Sequence, residues 1–389
     1  MKQSWSWEEA AEKRGPLLHP LAGARFRVFL RYALLTSGFD PRSRLQRLVA
    51  WGAQLLRLLP TAVEGARWNG AIRKSQLRKP PVFIVGHWRS GTTHLHNLMS
   101  RDPQFGFLTF AETAMPLNML GPEVHIARGA IQSVLPETRG YDNVKLSLDE
   151  PQEEEMALGN LGSIGFYNTY YFPGNIRRHT EQSLFFEGAK EKEIASFRRN
   201  YEYLIRKLNL VKGGRQLLFK NPPSTGRIPM ILEMFPDAKF IHIVRNPWPV
   251  FSSNCRKFSR LYNAFAWQSF QDVDIHEYTF ATYERLMRQY LRDRDRLHLP
   301  SSQLCETSYE KLTENPVSEI ARIYEQLGLE GEERGLGAIQ EYQEEIRGYE
   351  GNQHSISAGH AAALKERWAF AFREWGYASE PPPEISVGE

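Results

Sequence analysis

The chain of 389 residues contains little cysteine and no long apolar run. Its two cysteines, Cys255 and Cys305, are too few for a disulfide framework or a metal-ligand cluster, so a reduced cytoplasmic setting is expected. No apolar stretch approaches the roughly 18 residues needed to span a bilayer. The first residues are polar and charged and lack the apolar segment of a secretory signal. With 41% hydrophobic and 24% charged residues, the composition is that of an ordinary globular protein.

The most informative segment lacks the lysine that its pattern would normally carry. Residues 80–97 read PPVFIVGHWRSGTTHLHN: an apolar run predicts a buried strand, a loop with two glycines follows, and a helical pattern comes next. Such loops bind phosphate because their backbone N–H groups and the helix dipole point at the anion. A Walker loop would place lysine at the position of Thr92, whereas here the cation is Arg89 within the loop. We therefore predict an anion-binding loop of another type, and a plain strand-to-helix turn is the alternative.

Two further cations stand at the ends of predicted strands. Lys220 follows the apolar residues 217–219, and Arg245 follows residues 240–244. Strands that alternate with helices predict an α/β fold with a central parallel sheet, in which ligands bind beyond the carboxyl ends of the strands. A metal-dependent NTPase would place a carboxylate at such an end, and no predicted core strand ends in Asp or Glu. The pattern predicts a ligand with several anionic groups that is bound without a metal ion.

Two segments carry a resemblance to a known family. GHWRSGTT resembles the 5′-phosphosulfate loop of sulfotransferases that use 3′-phosphoadenosine 5′-phosphosulfate (PAPS), in the form found in the bacterial and tyrosylprotein/carbohydrate branch. KFIHIVRNPWPVFSS, residues 239–253, is similar to the family's 3′-phosphate site, an arginine at a strand end followed eight residues later by a serine. The resemblance covers about residues 80–377. It implies a P-loop-like three-layer α/β/α fold, PAPS as co-substrate and no metal.

The resemblance also implies roles for individual residues. As the general base it implies Glu112, with Lys220 at the bridging oxygen of the leaving phosphate and Arg89 at the transferring group. A carboxylate in the first turn of a helix is the structural alternative for Glu112, and His87 is the rival base. The remaining histidines are expected to be structural, and His94 and His96 do not share a helix face. The residues implied in cofactor binding are Arg89, Ser90, Gly91, Thr92, Thr93, Arg245, Ser253, Lys257 and Tyr309.

Two other segments are candidates for contact with the acceptor. The acidic run 149–155 is explained by Pro151 at a helix start with acids in the first turn, although related bacterial sulfotransferases have a similar segment. Glu154 is therefore a second candidate for contact with the acceptor. Tyr167, Tyr170 and Tyr171 are expected to pack in the core, with an acceptor pocket as the alternative.

The basic charge of the chain is concentrated at its start. Residues 1–80 hold fifteen Lys and Arg against five Asp and Glu, or +10, so the remainder of this +4 chain carries −6. We divide the chain into a basic helical extension (residues 1–79), a sulfotransferase domain (80–379) and a flexible tail (380–389), with the second helix of the extension ending near Pro60. The extension is interpreted either as a helical cap that packs Leu48, Leu55 and Leu59 on the catalytic domain, or as a peripheral membrane contact.

The sequence as a whole predicts a cytoplasmic, PAPS-dependent sulfotransferase. Its acceptor would be a hydroxyl on a small molecule, lipid or carbohydrate, and nucleic acid is not an expected partner. Two alternatives remain: a P-loop kinase-like phosphotransferase, disfavoured by Thr92 and the missing metal-binding acid, and a non-catalytic phosphonucleotide-binding module at a membrane surface. The acceptor's identity and the oligomeric state do not follow from the residues.

Overall fold

The computed structural model describes residues 17–121, 129, 147–330, 332–345 and 354–388. The chain divides into two compact units, each built from three stretches. A helical unit comprises residues 1–76, 108–214 and 256–273, and a sheet unit comprises residues 77–107, 215–255 and 274–389. Both units therefore cut across the predicted sulfotransferase domain of residues 80–379, and that domain division stays a prediction about the sequence.

The sheet unit is organised around five parallel strands. They lie in the order β2-β3-β1-β4-β5, with Phe83 of β1 in register with Phe219 of β3 and Phe240 of β4. The α/β class and the central parallel sheet are thus confirmed. The apolar runs predicted β1, β3 and β4. The largely apolar residues 105–110 also indicate a strand, of which β2 covers only the first two residues, and no apolar run predicts β5. The strands are β1 Val82–Val85, β2 Phe105–Gly106, β3 Gln216–Lys220, β4 Lys239–Val244 and β5 Leu304–Ser308.

Helices make up most of the remaining described chain. The pattern of residues 228–235 predicts a helix, and the structure confirms it as Ile228–Met234; the helix after the glycine loop begins at Thr92. The helices are α1 Phe26–Leu35, α2 Arg44–Lys74, α3 Thr92–Met99, α4 Phe110–Ala114, α5 Glu155–Leu161, α6 Asn168–Tyr171, α7 Ile176–Phe185, α8 Glu191–Val211, α9 Ile228–Met234, α10 Pro247–Phe265, α11 Ile275–Leu297, α12 Tyr309–Glu314, α13 Pro316–Leu327, α14 Glu332–Glu345, α15 Ala358–Arg367 and α16 Ala369–Trp375.

The core of the sheet unit explains why its central strand carries no alternation of apolar and polar residues. All four residues of β1 are buried, as expected for a parallel strand covered on both faces. Val82 and Ile84 pack in one cluster with Leu95 of α3 and Ile320 of α13. This packing fixes the end of β1, from which the glycine loop departs.

The end of the chain forms a strand. Residues 354–357 (β6, His354–Ser357) pair in parallel with β7, Ile385–Gly388. The segment 380–389 was expected to be a loose tail, and the structure differs from that expectation because backbone pairing orders Ile385–Gly388. The side chain of Ile385 is buried, which adds apolar contact to the pairing.

The helical unit is built on the long helix α2. This helix continues for fourteen residues beyond Pro60, so the predicted end near that proline is wrong. A proline inside a helix removes one backbone hydrogen bond, but tertiary contacts of the following turns hold the helix. Glu64 forms a buried ion pair with Lys207 of α8 at 2.5 Å and accepts the backbone N–H of Met119 at 3.0 Å.

The apolar residues of α2 do not pack as the cap interpretation requires. The exposed fractions of Leu48, Leu55 and Leu59 are 67%, 58% and 73%, so these side chains face solvent. Ala50 and Ile72 are the apolar residues of this helix that are buried. Among the described residues, no helix is both long enough and apolar enough to cross a bilayer.

Candidate active site

The loop after β1 has a backbone that only particular residues adopt easily. Gly86 and Gly91 have φ of 139° and 91°, and Arg89 has φ of 70° although it carries a side chain. A non-glycine residue in the left-handed region costs about 1–3 kcal/mol and is found most often at functional sites. Gly91 is also the residue from which α3 begins, and a Cβ there would lie 2.6 Å from Cδ2 of Tyr309. The loop therefore requires glycine at position 91 and holds Arg89 in a strained conformation.

The predicted 5′ and 3′ phosphate elements are joined by side-chain contacts. Arg89 Nε donates a hydrogen bond to Ser253 Oγ at 2.7 Å. Arg245, directly after β4, places its guanidinium 4.0 Å from the ring centre of Tyr309, and its Nη1 lies 3.5 Å from the carbonyl oxygen of Arg89. Stacking on an aromatic ring holds a guanidinium plane without using its N–H groups. The structure thus brings Arg89, Arg245, Ser253 and Tyr309 together within the sheet unit.

Lys220 lies on the other side of β1, at the end of the neighbouring strand β3. Its side chain is buried, and its Nζ lies 3.4 Å from Oγ1 of Thr93 in the first turn of α3. Burial, followed by the charge of Lys220, lowers the pKa of His96 well below its usual value. Burial also lowers the pKa of His94 to about 4. Both histidines are therefore neutral near pH 7, and Lys220 and Arg89 supply positive charge to this loop.

A cleft of about 340 Å³ opens beside Arg245 and Tyr309. Its size is at the lower end of the range for small-molecule sites. Glu310, on its wall, accepts the backbone N–H of Asn246 at 3.0 Å and so ties the start of α12 to the end of β4. The lining residues are Arg245, Asn246, Pro249, Tyr309, Glu310, Thr313, Glu314 and Glu384.

Glu112, the predicted base, belongs to the helical unit. It completes a capping box at the start of α4, where its Oε2 accepts the backbone N–H of Thr109 at 2.8 Å. Its Oε1 lies 2.8 Å from Nζ of Lys212. Each carboxylate oxygen has a second lone-pair direction, so these bonds leave Glu112 capable of accepting a proton. The structural role that was the alternative for this residue is present, and its catalytic role stays a prediction.

The acidic run lies next to this capping box. Thr109 forms an isolated antiparallel bridge with Pro151, and Gln152 N–H donates to the carbonyl of Leu108 at 2.8 Å. Glu154 is fully buried and accepts a hydrogen bond from Tyr201 Oη at 2.7 Å. Burial raises the pKa of Glu154 to about 7, and the bond from Tyr201 partly opposes that rise.

The other candidates fall in different places. His87 is buried, and its Nδ1 lies 3.0 Å from the carbonyl oxygen of Trp88, an arrangement that holds the loop. Lys257 belongs to the helical unit, where its Nζ lies 4.7 Å from the ring centre of Phe258. Tyr170 and Tyr171 are buried, as the packing interpretation predicted, whereas Tyr167 is half-buried.

Two residues near these groups were missed from the sequence. Thr225 accepts the N–H of Gly86 at 2.8 Å and so fixes the start of the glycine loop. Lys212 is the partner of Glu112, one hundred residues away along the chain. Each contact joins segments distant in sequence, and a single threonine or lysine carries no local signal for such a role. Among the described residues, no group of three His, Cys, Asp or Glu side chains has metal-binding geometry.

A glycine loop after the central strand of a parallel sheet, with arginines beside it, is typical of P-loop-like nucleotide-binding folds. The chain belongs to the sulfotransferase family, since residues 80–333 match the pattern that defines this family. It is therefore an enzyme of the sulfotransferase class. No observation favours the kinase-like or the non-catalytic alternative.

Individual relatives agree with this assignment. The chain is 29% identical over 311 residues to an omega-hydroxy-beta-dihydromenaquinone-9 sulfotransferase of Mycobacterium bovis, covering 80% of this chain and 79% of that protein. The fold is similar to that of sulfotransferase STF9 from Mycobacterium avium, with a TM-score of 0.70 over 96% of each chain at 15% identity. Sulfotransferase STF1 from Mycobacterium tuberculosis has a TM-score of 0.63 at 16% identity, over 88% of this chain and 90% of that one.

Proposed function

We propose that this sulfotransferase takes its sulfuryl group from PAPS, and that the glycine loop and Arg245 bind the two anionic ends of that donor. The observation that carries the proposal is the joining of Arg89 to Ser253 and the stacking of Arg245 on Tyr309. A planar guanidinium offers paired N–H donors that match phosphate oxygens. Arg245 and Ser253 would bind the 3′-phosphate, and Ser90, Gly91, Thr92 and Thr93 would bind the 5′-phosphosulfate. Tyr309 would contact the adenine, and Lys257 would add positive charge.

The chemistry assigned to these residues is a direct transfer. Glu112 would take the proton from the acceptor hydroxyl while the oxygen of that hydroxyl forms the new bond to sulfur. The bond between sulfur and the bridging phosphate oxygen breaks, and the electron pair stays on the leaving 3′-phosphoadenosine 5′-phosphate (PAP). Lys220 would stabilise the charge that develops on the bridging oxygen, and Arg89 would stabilise the transferring group. A metal ion has no role in this scheme.

Calorimetry with the two nucleotides PAP and ADP tests the donor. PAP carries the 3′-phosphate that ADP lacks, so PAP should bind much more tightly, and the difference should be the same in Mg²⁺ and in a chelator. Equal affinities for PAP and ADP, or binding that requires Mg²⁺, would show that the donor assignment is wrong.

For the acceptor we propose a hydroxyl on an apolar or lipid-like molecule in the cytoplasm or at the inner face of the membrane. The support is the similarity to a sulfotransferase named for a hydroxylated menaquinone, together with the exposed apolar residues of α2. The test is transfer of radiolabelled sulfate from PAPS to separated lipid and aqueous fractions of a bacterial extract. Label in the lipid fraction is expected, and label confined to water-soluble products would contradict the proposal.

A further inference from the structure

The outward face of α2 carries an unusual concentration of apolar side chains. Eleven large apolar side chains are exposed among the described residues, and seven of them lie on this helix. The exposed fraction is 80% for Leu56 and 73% for Leu59. At 3.6 residues per turn, six of the seven project from one side of the helix. We call this surface the α2 face; it consists of Leu45, Leu48, Leu55, Leu56, Leu59 and Val63.

Basic residues flank the α2 face, and no exposed carboxylate of the helix accompanies them. Arg44, Arg67, Arg73 and Lys74 are exposed. The single acidic residue of the helix is Glu64, which is buried on the opposite side in its ion pair with Lys207. The exposed charge along the helix is therefore of one sign.

The combination of exposed apolar side chains and exposed basic side chains determines which partner fits the α2 face. Contiguous exposed apolar patches mark sites of protein or membrane interaction. A second copy of the same face would bring arginines against arginines, and like charges oppose such a contact. An anionic lipid surface satisfies both properties, because its acyl region accepts the leucines and its phosphates attract the arginines. Helix α2 is long but not apolar enough to cross a bilayer, and its 31 residues would extend about 46 Å along the surface.

We propose that the α2 face docks this protein on an anionic bilayer, with α2 parallel to the membrane plane. The leucines enter the boundary between headgroups and acyl chains, and the flanking arginines and lysine contact lipid phosphates. Docking itself does not require PAPS or catalysis. Its consequence for catalysis, delivery of the enzyme to a membrane-dissolved acceptor, rests on the proposed function.

The test is sedimentation of the full-length protein with phosphatidylcholine vesicles that contain or lack phosphatidylglycerol. The wild-type protein should sediment with anionic vesicles at low salt and lose most of that binding at high salt. Leu56→Gln/Leu59→Gln should weaken binding about tenfold or more without changing net charge. Glutamine is a good helix former and both side chains are exposed, so the thermal unfolding midpoint should stay at the wild-type value. Arg73→Gln/Lys74→Gln should weaken binding and reduce its salt dependence.

The matched control is Leu17→Gln/Val387→Gln, which makes the same change at two exposed apolar residues outside α2. This control should bind vesicles as the wild-type protein does. The proposal is overturned if the wild-type protein does not sediment with anionic vesicles, or if Leu56→Gln/Leu59→Gln binds them normally. A dimer in light scattering that dissociates in the same variant would assign the α2 face to a second copy and also overturn it. PAP binding, measured in the same samples, separates a failure of the donor assignment from a failure of docking.

Discussion

At the scale of single residues, Arg245 is the side chain on which nucleotide selectivity depends. Its guanidinium carbon lies 4.0 Å from the ring centre of Tyr309, so its N–H groups are oriented before a ligand arrives. Arg245→Ala should weaken PAP binding by about 2–3 kcal/mol, the value of a hydrogen bond to a charged group, and leave ADP affinity almost unchanged. Calorimetry of both nucleotides measures this effect.

Arg245→Lys is the informative comparison for that experiment. Lysine keeps the charge but lacks the planar pair of donors, so PAP affinity should fall between that of the wild-type protein and that of Arg245→Ala. Equal losses for PAP and ADP in either variant would mean that Arg245 does not contact the 3′-phosphate.

Glu112 requires a substitution that separates its two roles. Glu112→Gln keeps an oxygen that can accept the N–H of Thr109, so the cap of α4 should survive while the proton acceptor is lost. We expect turnover to fall by about 10²–10⁴-fold with PAP affinity close to that of the wild-type protein, and the unfolding midpoint to fall because the ion pair with Lys212 is lost. Steady-state kinetics with a responsive acceptor, calorimetry and thermal unfolding measure the three quantities.

Thr109→Ala is the control for the capping role of Glu112. It removes the side-chain half of the capping box and should cost about 1 kcal/mol of stability with little loss of turnover at moderate temperature. Near-normal turnover in Glu112→Gln would instead transfer the role of base to another group, with His87 the first to test.

Lys220→Ala should slow turnover by a factor similar to that of Glu112→Gln, because Lys220 acts on the leaving oxygen.

At the scale of elements, the turn from β1 into α3 depends on glycine. Gly91→Ala forces a side chain into φ of 91° and towards the ring of Tyr309. We expect it to lower stability by about 1–3 kcal/mol and to weaken PAP binding, because the first turn of α3 and the ring beneath Arg245 must both shift. Chemical unfolding and calorimetry measure the two effects.

Gly337→Ala provides the comparison, since this exposed glycine of α14 has no atom within 4 Å of an added Cβ. There the change should be neutral or stabilising by up to about 1 kcal/mol. If Gly91→Ala also leaves stability unchanged and binds PAP as the wild-type protein does, the strained geometry of the loop is not needed for binding.

The elements also show what could be predicted from the sequence. Residues 82–85 form a continuous apolar run, and residues 240–244 are apolar except for His242, so the sequence predicts β1 and β4 together with the loop and arginine that follow them. Strand β5 was missed because its burial alternates and Glu306 interrupts it, and Tyr309 was placed by motif alone. Pro60 was misread as a helix end because the buried pair of Glu64 and Lys207 joins residues far apart in sequence. Apolar runs and motifs therefore located the glycine loop, whereas β5 and the end of α2 depend on contacts between residues far apart in the sequence.

At the scale of the whole molecule, a buried carboxyl group should make stability depend on pH. Burial raises the pKa of Glu154 from its usual 4.5 to about 7 in the folded protein. The folded state therefore binds this proton more tightly than the unfolded state does. The resulting contribution of Glu154 to the free energy of unfolding is complete below pH 4.5 and is lost as pH rises through 7. The free energy of unfolding should fall by about 2 kcal/mol between pH 5 and 7 through this one residue.

Glu154→Gln is the variant that tests this dependence. The amide keeps an acceptor for Tyr201 but does not titrate, so the fall in stability between pH 5 and 7 should shrink by that amount. Urea unfolding of both proteins at the two pH values gives the comparison. An identical pH dependence in the variant would show that Glu154 is not the group responsible.

The way in which the chain alternates between its two compact units has a consequence for protein synthesis. Three separate stretches form each unit, and β5, the last strand of the main sheet, ends at residue 308 of 389. The ribosome must therefore release most of the polypeptide before that sheet can be completed, which takes many seconds at about 5–20 residues per second. Until then, the apolar strand β1 and the leucines of α2 are present together in an unfinished chain. Newly made protein should consequently depend on chaperones, and a gene cut at any point between residues 77 and 273 would yield neither unit intact.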